Sequence, residues 1–412
     1  MKGKLQHIHP LGMTIIIGTL FARFATSMSI PFLAIYLTTV KGVSAGMTGA
    51  IIGTSALVGV FASFIGGNLS DRFGRKSIMM WSIIVWIFVF IGFSVADHVL
   101  SFLLLNALNG LCRSFFEPTS RALLSDLTKP EYRLLAYNLR YGAVNVGVAV
   151  GPLVGLQLGS AKSTIPFLVA AGVYILYTVV LSFQFKKYPP GEEKGNVEEP
   201  VTMLKAISIL RKDIVFLVAL IGIILSNSGF SHLTTTVSQY FANAHIFEDG
   251  VKLFSYMLTV NAIVVVAIQY PVIQMCKRYT PLASIIIGTL FVSGGLFGFG
   301  MVESILGAAI CTIIFTIGEV LMFSMTDVFI DDIAAPHLKG TYFGAMGFSG
   351  IGGVIGPWFG GILLDHYGYQ NGFVVFLILA IFSTVAFPVL FVTKSLLKKR
   401  YIEDSKTEIH AK

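Results

Sequence analysis

The chain has 412 residues, 55% hydrophobic and only 12% charged, with a formal charge of +8 at pH 7. Soluble domains carry roughly a quarter charged residues, so this composition excludes a large soluble protein. The positive balance would suit a nucleic-acid binder, but its distribution does not: Lys41, Lys162 and Lys252 stand alone on one set of loops, and nearly all other cations outside the apolar runs gather on the other set. That asymmetry is the positive-inside pattern. It places both termini in the cytoplasm of a multi-pass plasma-membrane protein.

Twelve apolar runs follow one another along the chain: about 11–37, 45–69, 77–97, 99–124, 138–159, 164–185, 213–241, 252–275, 281–302, 304–327, 341–364 and 371–393. Each is long enough to cross a bilayer, which takes about 20 residues. Lipid offers backbone groups no partners, so each run is predicted to be a helix. No small-residue cleavage site follows the N-terminus, so the first run reads as a retained span. The expected class is an all-α membrane protein of two six-helix bundles, 1–185 and 213–393. Residues 186–212 form a polar cytoplasmic linker with a helix lying on the membrane face. Residues 394–412 form a polar, disordered cytoplasmic tail.

Between the second and third runs stands Gly66-Gly67-Asn68-Leu69-Ser70-Asp71-Arg72-Phe73-Gly74-Arg75-Lys76. Gly67 permits close helix approach, Asp71 suits a helix N-terminus, Gly74 suits a tight turn, and Arg72 and Arg75 supply inside charge. On the fifth run, Gly147-Val-Ala-Val-Gly151-Pro152-Leu-Val-Gly155 reads G-x-x-x-G-P-x-x-G, and Gly352 to Gly361, with Gly356 and Pro357, repeats it about 205 residues later. The same offset maps Asp71 onto Cys276, and the end of the fourth run, with Asp126, onto the end of the tenth. The repeat predicts two homologous half-bundles, the architecture of secondary transporters. The small residues predict tight helix packing.

The loop between the second and third runs resembles the signature loop of the major facilitator superfamily. The G-x-x-x-G-P pattern resembles the antiporter motif of its twelve-span drug:proton antiporter branch, and Leu124-Ser-Asp126-Leu-Thr also matches that branch. The resemblance covers essentially the whole chain. It implies that Gly67, Asp71, Arg72, Gly74, Arg75 and Asp126 form a cytoplasmic gate, with Arg75 paired to Asp126 and Asp71 facing the start of the eleventh helix near Gly340 and Thr341. It further implies that spans one, four, seven and ten line a central cavity. In the fourth span Asn106-Ala-Leu-Asn109-Gly110 stands where the family often carries an arginine.

An ionisable residue within a span is costly and is a functional-site candidate. Arg23, Arg113, Glu117 and Glu319 all fall on the four cavity spans. Asn106, Asn109, Arg113 and Glu117 share one helix face, so Arg113 and Glu117 are expected to pair across one turn. Thr312, Thr316, Glu319 and Phe323 form a similar stripe, with Glu319 within a turn of the repeat position of Glu117. Desolvation favours a neutral carboxyl and a nearby cation favours a charged one. Glu319 is therefore the expected main proton carrier and Glu117 a second carboxyl and cation contact, with Arg113 and Arg23 as tuning charges. Asn106, Asn109, Asn227, His232, Thr316, Phe116 and Phe24 are the expected cavity lining, with ordinary packing as the alternative for His232 and the phenylalanines.

No P-loop, catalytic triad or metal spacing is present, and the three cysteines, Cys112, Cys276 and Cys311, form no framework. The expected protein is not an enzyme, needs no cofactor or metal, and has as partners a small-molecule substrate, protons and the bilayer. It is expected to work as a monomer. The expected function is proton-coupled efflux of amphipathic or cationic small molecules by alternating access. Export of one specific metabolite (a sugar, peptide or metallophore) is the first alternative, and uptake by proton symport the second. A sensor or a lipid flippase on the same scaffold is a further possibility.

Overall fold

A computed structural model describes residues 8–159, 162–189, 211, 213–244, 246–276, 279–334, 342 and 345–410; the side chains of 63–68, 70–72, 273–276 and a few other helical positions lie outside that description. The described residues are helical apart from short turns. The first half holds α1 (Pro10–Thr39), α2 (Ala45–Phe73), α3 (Arg75–Val95), α4 (Val99–Asp126), α5 (Pro130–Gln157) and α6 (Ile165–Lys187). The second holds α7 (Ile214–Ser231), α8 (Thr236–Asn243), α9 (Gly250–Cys276), α10 (Pro281–Phe299), α11 (Ile305–Ile333), α12 (Gly352–Tyr367), α13 (Gly372–Thr384) and α14 (Ala386–His410). Among the described residues these make 12 candidate membrane spans. With an even number of crossings, both chain ends lie on one face, here termed the termini face.

Local chemistry sets the helix starts. Pro10 opens α1 behind His9, whose Nδ1 accepts Leu11 N–H at 3.2 Å. Ser44, Asp213, Thr280 and Ser304 cap α2, α7, α10 and α11 by accepting a backbone N–H. The one-residue turn from α2 to α3 is possible because Gly74 takes φ +84°. On the far face Lys41, just past α1, pairs with Asp97 of the α3–α4 loop. That hydrogen bond holds the Asp97 carboxyl below its ordinary range and the Lys41 ammonium above its own.

Three departures from the sequence reading have physical causes. The seventh span is broken into α7 and α8: Ser231 and Thr235 turn their hydroxyls onto backbone carbonyls through His232–Thr235. α5 begins at Pro130, eight residues before the expected 138, because nothing between Pro130 and Gly142 breaks a helix. The tail expected to be disordered continues α14 to His410, since Lys, Leu and Glu there are good helix formers and no Gly or Pro intervenes. The expected linker helix of 186–212 falls mostly outside the described residues.

Each half is built around its own apolar core. Trp86, Phe90, Phe93, Phe167 and Tyr174 fill the first, and Phe241, Phe299, Phe315 and Phe376 the second. The repeated glycine motif acts within each half. A Cβ on Gly147, Gly151 or Gly155 would lie 2.6 Å from Leu20 O, 2.0 Å from Ser27 Oγ or 2.2 Å from Met28 O, so α5 rests directly on the α1 backbone. The matching atoms at Gly352, Gly356 and Gly360 would lie 2.3 Å from Ile224 O, 2.0 Å from Ser231 Oγ and 2.0 Å from Thr236 Oγ1, so α12 rests on α7 and the start of α8. Ser27 under Gly151 and Ser231 under Gly356 show that the duplication extends to the contacts.

The halves meet along α2–α12 and α5–α9, with α1 touching α8. On the far face Asp365 of α12 accepts Ala45 N–H and Gly46 N–H, both at 2.7 Å, capping α2 from across the interface. Phe32 and Ile35 of α1 bury against Phe254 and Leu258 of α9 nearby. Among the described residues few hydrogen bonds cross between the halves, and backbone proximity carries the α2–α12 contact. A Cβ on Gly49 would lie 2.0 Å from Pro357 O. Gly49→Ala is therefore expected to cost about 1–3 kcal/mol by overpacking, seen as a lower midpoint of thermal unfolding in detergent. Gly294→Ala, where nothing lies within 4 Å, should not lower it.

Candidate transport cavity and its charged groups

A cavity of about 700 Å³ lies between the halves, within the size range of small-molecule sites. Its walls come from α1, α2 and α4 on one side, and from Ser231, Thr234, Thr235, Gly347, Gly350, Gly353 and Pro357 on the other. It runs from the depth of Leu33 and Ile52 to Arg121, near the termini-face end of α4. The seal on the far face is the Asp365 cap and the Phe32–Phe254 contact.

Arg23, Arg113, Glu117 and Arg121 are its charged lining residues. Glu117 takes Arg23 of α1 on Oε1 and Arg140 of α5 on Oε2. The expected cis pair between Arg113 and Glu117 is not what forms. An i,i+4 pair stabilises a helix by only about 0.2–0.5 kcal/mol, and two guanidinium groups from neighbouring helices take both carboxylate oxygens instead. Arg113 has no hydrogen-bond or ion-pair partner among the described residues and is exposed to the cavity. Arg140 is the functional candidate that sequence reasoning missed, since the late expected start of the fifth span left it at the helix edge. It lies seven residues before Gly147, two turns along on the glycine face that packs on α1, and that spacing could have revealed it.

Glu319 sits elsewhere. Asn261 of α9 donates to its Oε2 at 2.6 Å and to Thr316 Oγ1 at 2.9 Å. Tyr141 of α5 lies within electrostatic reach across the interface between the halves. Among the described residues no cation pairs with Glu319, and it does not line the cavity. Its position three residues before the repeat equivalent of Glu117 turns it toward α9.

The remaining expected lining residues divide. Asn106 and Asn109 line the cavity while holding helices together: Asn106 donates to Ile51 O at 2.7 Å, and Asn109 accepts Trp86 Nε1–H at 2.8 Å. Asn227 donates to Ser349 O at 3.2 Å, and His232 is fully buried with Nδ1 2.9 Å from Thr236 Oγ1. Phe116 packs among Trp86 and Tyr177, and Phe24 packs against the same core. These four and Thr316 do not line the cavity. At the gate, Arg75 Nε donates to Asp126 Oδ2 at 3.2 Å. The surroundings of Gly67, the side chains of Asp71 and Arg72, and the expected partners Gly340 and Thr341 lie outside that description.

A family model for the Major Facilitator Superfamily matches residues 15–350. The chain belongs to that superfamily. It is 48% identical over 391 residues to the uncharacterized MFS-type transporter YqjV of Bacillus subtilis, covering 94% of each chain. It is 26% identical to a Na(+), Li(+), K(+)/H(+) antiporter of Planococcus maritimus, over 87% of this chain and 93% of that one. The crystal structure of the nucleoside transporter NupG superposes with a TM-score of 0.79 at 13% identity, covering 95% of this chain and 100% of the other, a likeness of fold alone. The protein is thus a transporter with membrane-spanning helices and a small-molecule substrate, and not an enzyme.

The charge arrangement gives opposite expectations for two neighbours on one helix. Glu117→Gln leaves Arg23 and Arg140 without their ion-pair partner and should destabilise by about 3–5 kcal/mol. Arg113→Gln removes an uncompensated cation and should leave the unfolding midpoint unchanged or raise it. Thermal unfolding of both variants in one detergent checks the sign of the difference.

Proposed function

We propose that this protein is a proton-coupled exporter of amphipathic small molecules. It would lie in the plasma membrane with its termini face toward the cytoplasm and work by alternating access as a monomer. The orientation rests on the positive-inside pattern of the loops, which puts the cavity in reach of cytoplasmic substrate. The Asp365 cap and the Phe32–Phe254 contact close the opposite exit. Of the two substrate types expected from the sequence, the lining supports the amphipathic one: Ile30, Leu33, Ile52, Ala56, Val60 and Pro357 form an apolar wall, and Glu117 is already occupied by two arginines.

The observation that carries proton coupling is Glu319, a carboxyl in the middle of a span held by a neutral amide with no cation paired to it. A buried unpaired carboxylate is costly and protonation removes that cost. α9, which supplies the Asn261 partner, is also the helix that packs on α5 of the other half. Loss or gain of the Glu319 proton therefore acts at the interface that must slide when the halves rock. A relative named as a proton antiporter supports the same direction of exchange. Arg75 and Asp126, with Asp71 and Arg72, would latch the cytoplasmic gate when the cavity faces outward.

Everted vesicles from an efflux-deficient strain, energised to an acid interior and screened with amphipathic drugs and dyes, provide the test. Wild-type vesicles should release protons on adding a transported compound, read with a pH dye. Glu319→Gln should abolish that release while retaining gradient-free substrate exchange. Release that persists in Glu319→Gln removes this residue as the carrier. Response to one compound class alone establishes a specific exporter in place of a multidrug one.

A further inference from the structure

We infer that the cavity holds its substrate by an anionic group, a carboxylate or phosphate on an apolar body, with Arg113 as the anchor. The inference rests on reading this cavity as the transport site and names the chemistry it takes. Three cations, Arg23, Arg113 and Arg121, line the cavity against one carboxylate, Glu117. Both Glu117 oxygens are engaged, by Arg23 and by Arg140. Among the described residues no lining carboxylate is left open to a cationic ligand.

The acids of the other half do not restore balance within the lining. Glu319 is turned away toward Asn261 of α9, and Asp327 of α11 lies within electrostatic reach of Arg121 but outside the lining. The second-half wall is instead neutral, with Ser231, Thr234 and Thr235 at the break between α7 and α8; the Ser231 and Thr235 hydroxyls already donate to backbone carbonyls, which leaves that of Thr234.

Arg113 is the group with spare capacity. It is exposed to the cavity and makes no hydrogen bond or ion pair among the described residues, so its guanidinium donors are free. A guanidinium presents a planar fork that matches carboxylate and phosphate oxygens two at a time. An uncompensated charge at this depth is costly, and an anion entering with the substrate supplies the missing counter-charge. Arg23, bound to one Glu117 oxygen yet still partly exposed, flanks the same space. The apolar wall from Ile30 to Val60 would receive the body of the molecule. A bare inorganic anion would leave that wall wet.

The experiment is equilibrium binding to purified protein in phosphatidylcholine nanodiscs, without any gradient. The probes are 2-naphthoate, 1-naphthyl phosphate and tetraphenylphosphonium. At least one naphthyl anion should bind; Arg113→Gln should weaken it tenfold or more, and Arg113→Lys should keep part of the affinity. Which naphthyl probe binds more tightly separates carboxylate from phosphate. Tetraphenylphosphonium should neither bind comparably nor displace the anion. The inference is overturned if the cation alone binds to the wild-type protein, if neither anion binds, or if anion affinity is unchanged in Arg113→Gln. The wild-type competition decides the matter even where a variant fails to fold. Because no gradient is present, a negative result leaves proton coupling untouched, and loss of coupling with intact anion binding fells only the export mechanism.

Discussion

The contact on which this molecule depends is the bare backbone of α5 lying on the bare backbone of α1. Gly147, Gly151 and Gly155 leave no room for a side chain against Leu20, Ser27 and Met28. At that separation Ser27 Oγ donates to Gly147 O at 3.0 Å. In a membrane no hydrophobic force draws helices together, so van der Waals contact between small residues has to do it. The same closeness positions the charges. A Cβ at Gly147 would meet Arg23 Cβ at 2.9 Å, and two turns earlier on the same face of α5 stands Arg140. The glycine face thus delivers Arg23 and Arg140 to the two oxygens of one carboxylate on α4. Packing and chemistry are one feature.

The other half serves as an internal control. The offset that matches Ser27 to Ser231 matches Arg23 to Asn227, and the offset of the glycine motif matches Arg140 to Ala345 and Glu117 to Met322. Ala345 and Met322 are fully buried in an apolar cluster, and Asn227 bonds to a backbone carbonyl. The same helix arrangement therefore holds together with neutral residues in the triad's place. Buried ion pairs are weak contributors to stability relative to well-packed apolar groups. Two copies of one scaffold, one charged and one neutral, show that packing alone does not require the charge. On the function proposed above, the ions would serve substrate handling in the first half and Glu319 the proton in the second.

Much of this was legible in the sequence, because the informative features are local or periodic. Span number follows from apolar length, the duplication from two glycine–proline motifs, and the Arg75–Asp126 pair from the resemblance of two motifs to the superfamily. What was not legible depends on which way a helix face turns once packed. Glu319 falls within one turn of the repeat position of Glu117, yet that displacement aims it at Asn261 on α9 rather than into the cavity. Arg113 and Glu117 are ideally spaced to pair in a lone helix, but Glu117 finds partners 94 and 23 residues away. His232 and Phe116 read from the sequence as either lining or packing; the break after α7 and the Trp86 cluster enclose them as packing groups, His232 bonded to the Thr236 hydroxyl.

The distribution of polar contacts also bears on how such a molecule moves. Among the described residues, hydrogen bonds and ion pairs are dense within each half and sparse between them. Across the α2–α12 interface the polar tie is the Asp365 carboxylate on the α2 N-terminus, a capping interaction of about 0.5–2 kcal/mol. Across α5–α9 Thr259 Oγ1 donates to Ala149 O at 3.2 Å, and Tyr141 lies beside Gln269. Barriers of that size are within reach of one ligand's differential binding, since a ligand shifts an equilibrium only by the difference in its affinity for two states. An anion bridging Arg113 to the Thr234 hydroxyl beside the α7–α8 break would draw on both halves at once. It would couple binding to their relative position at the place where the second half is least regular. The glycine-packed pairs α1–α5 and α7–α12 would then move as rigid units, and the proton on Glu319 would set the strength of the α9 contact against which they turn.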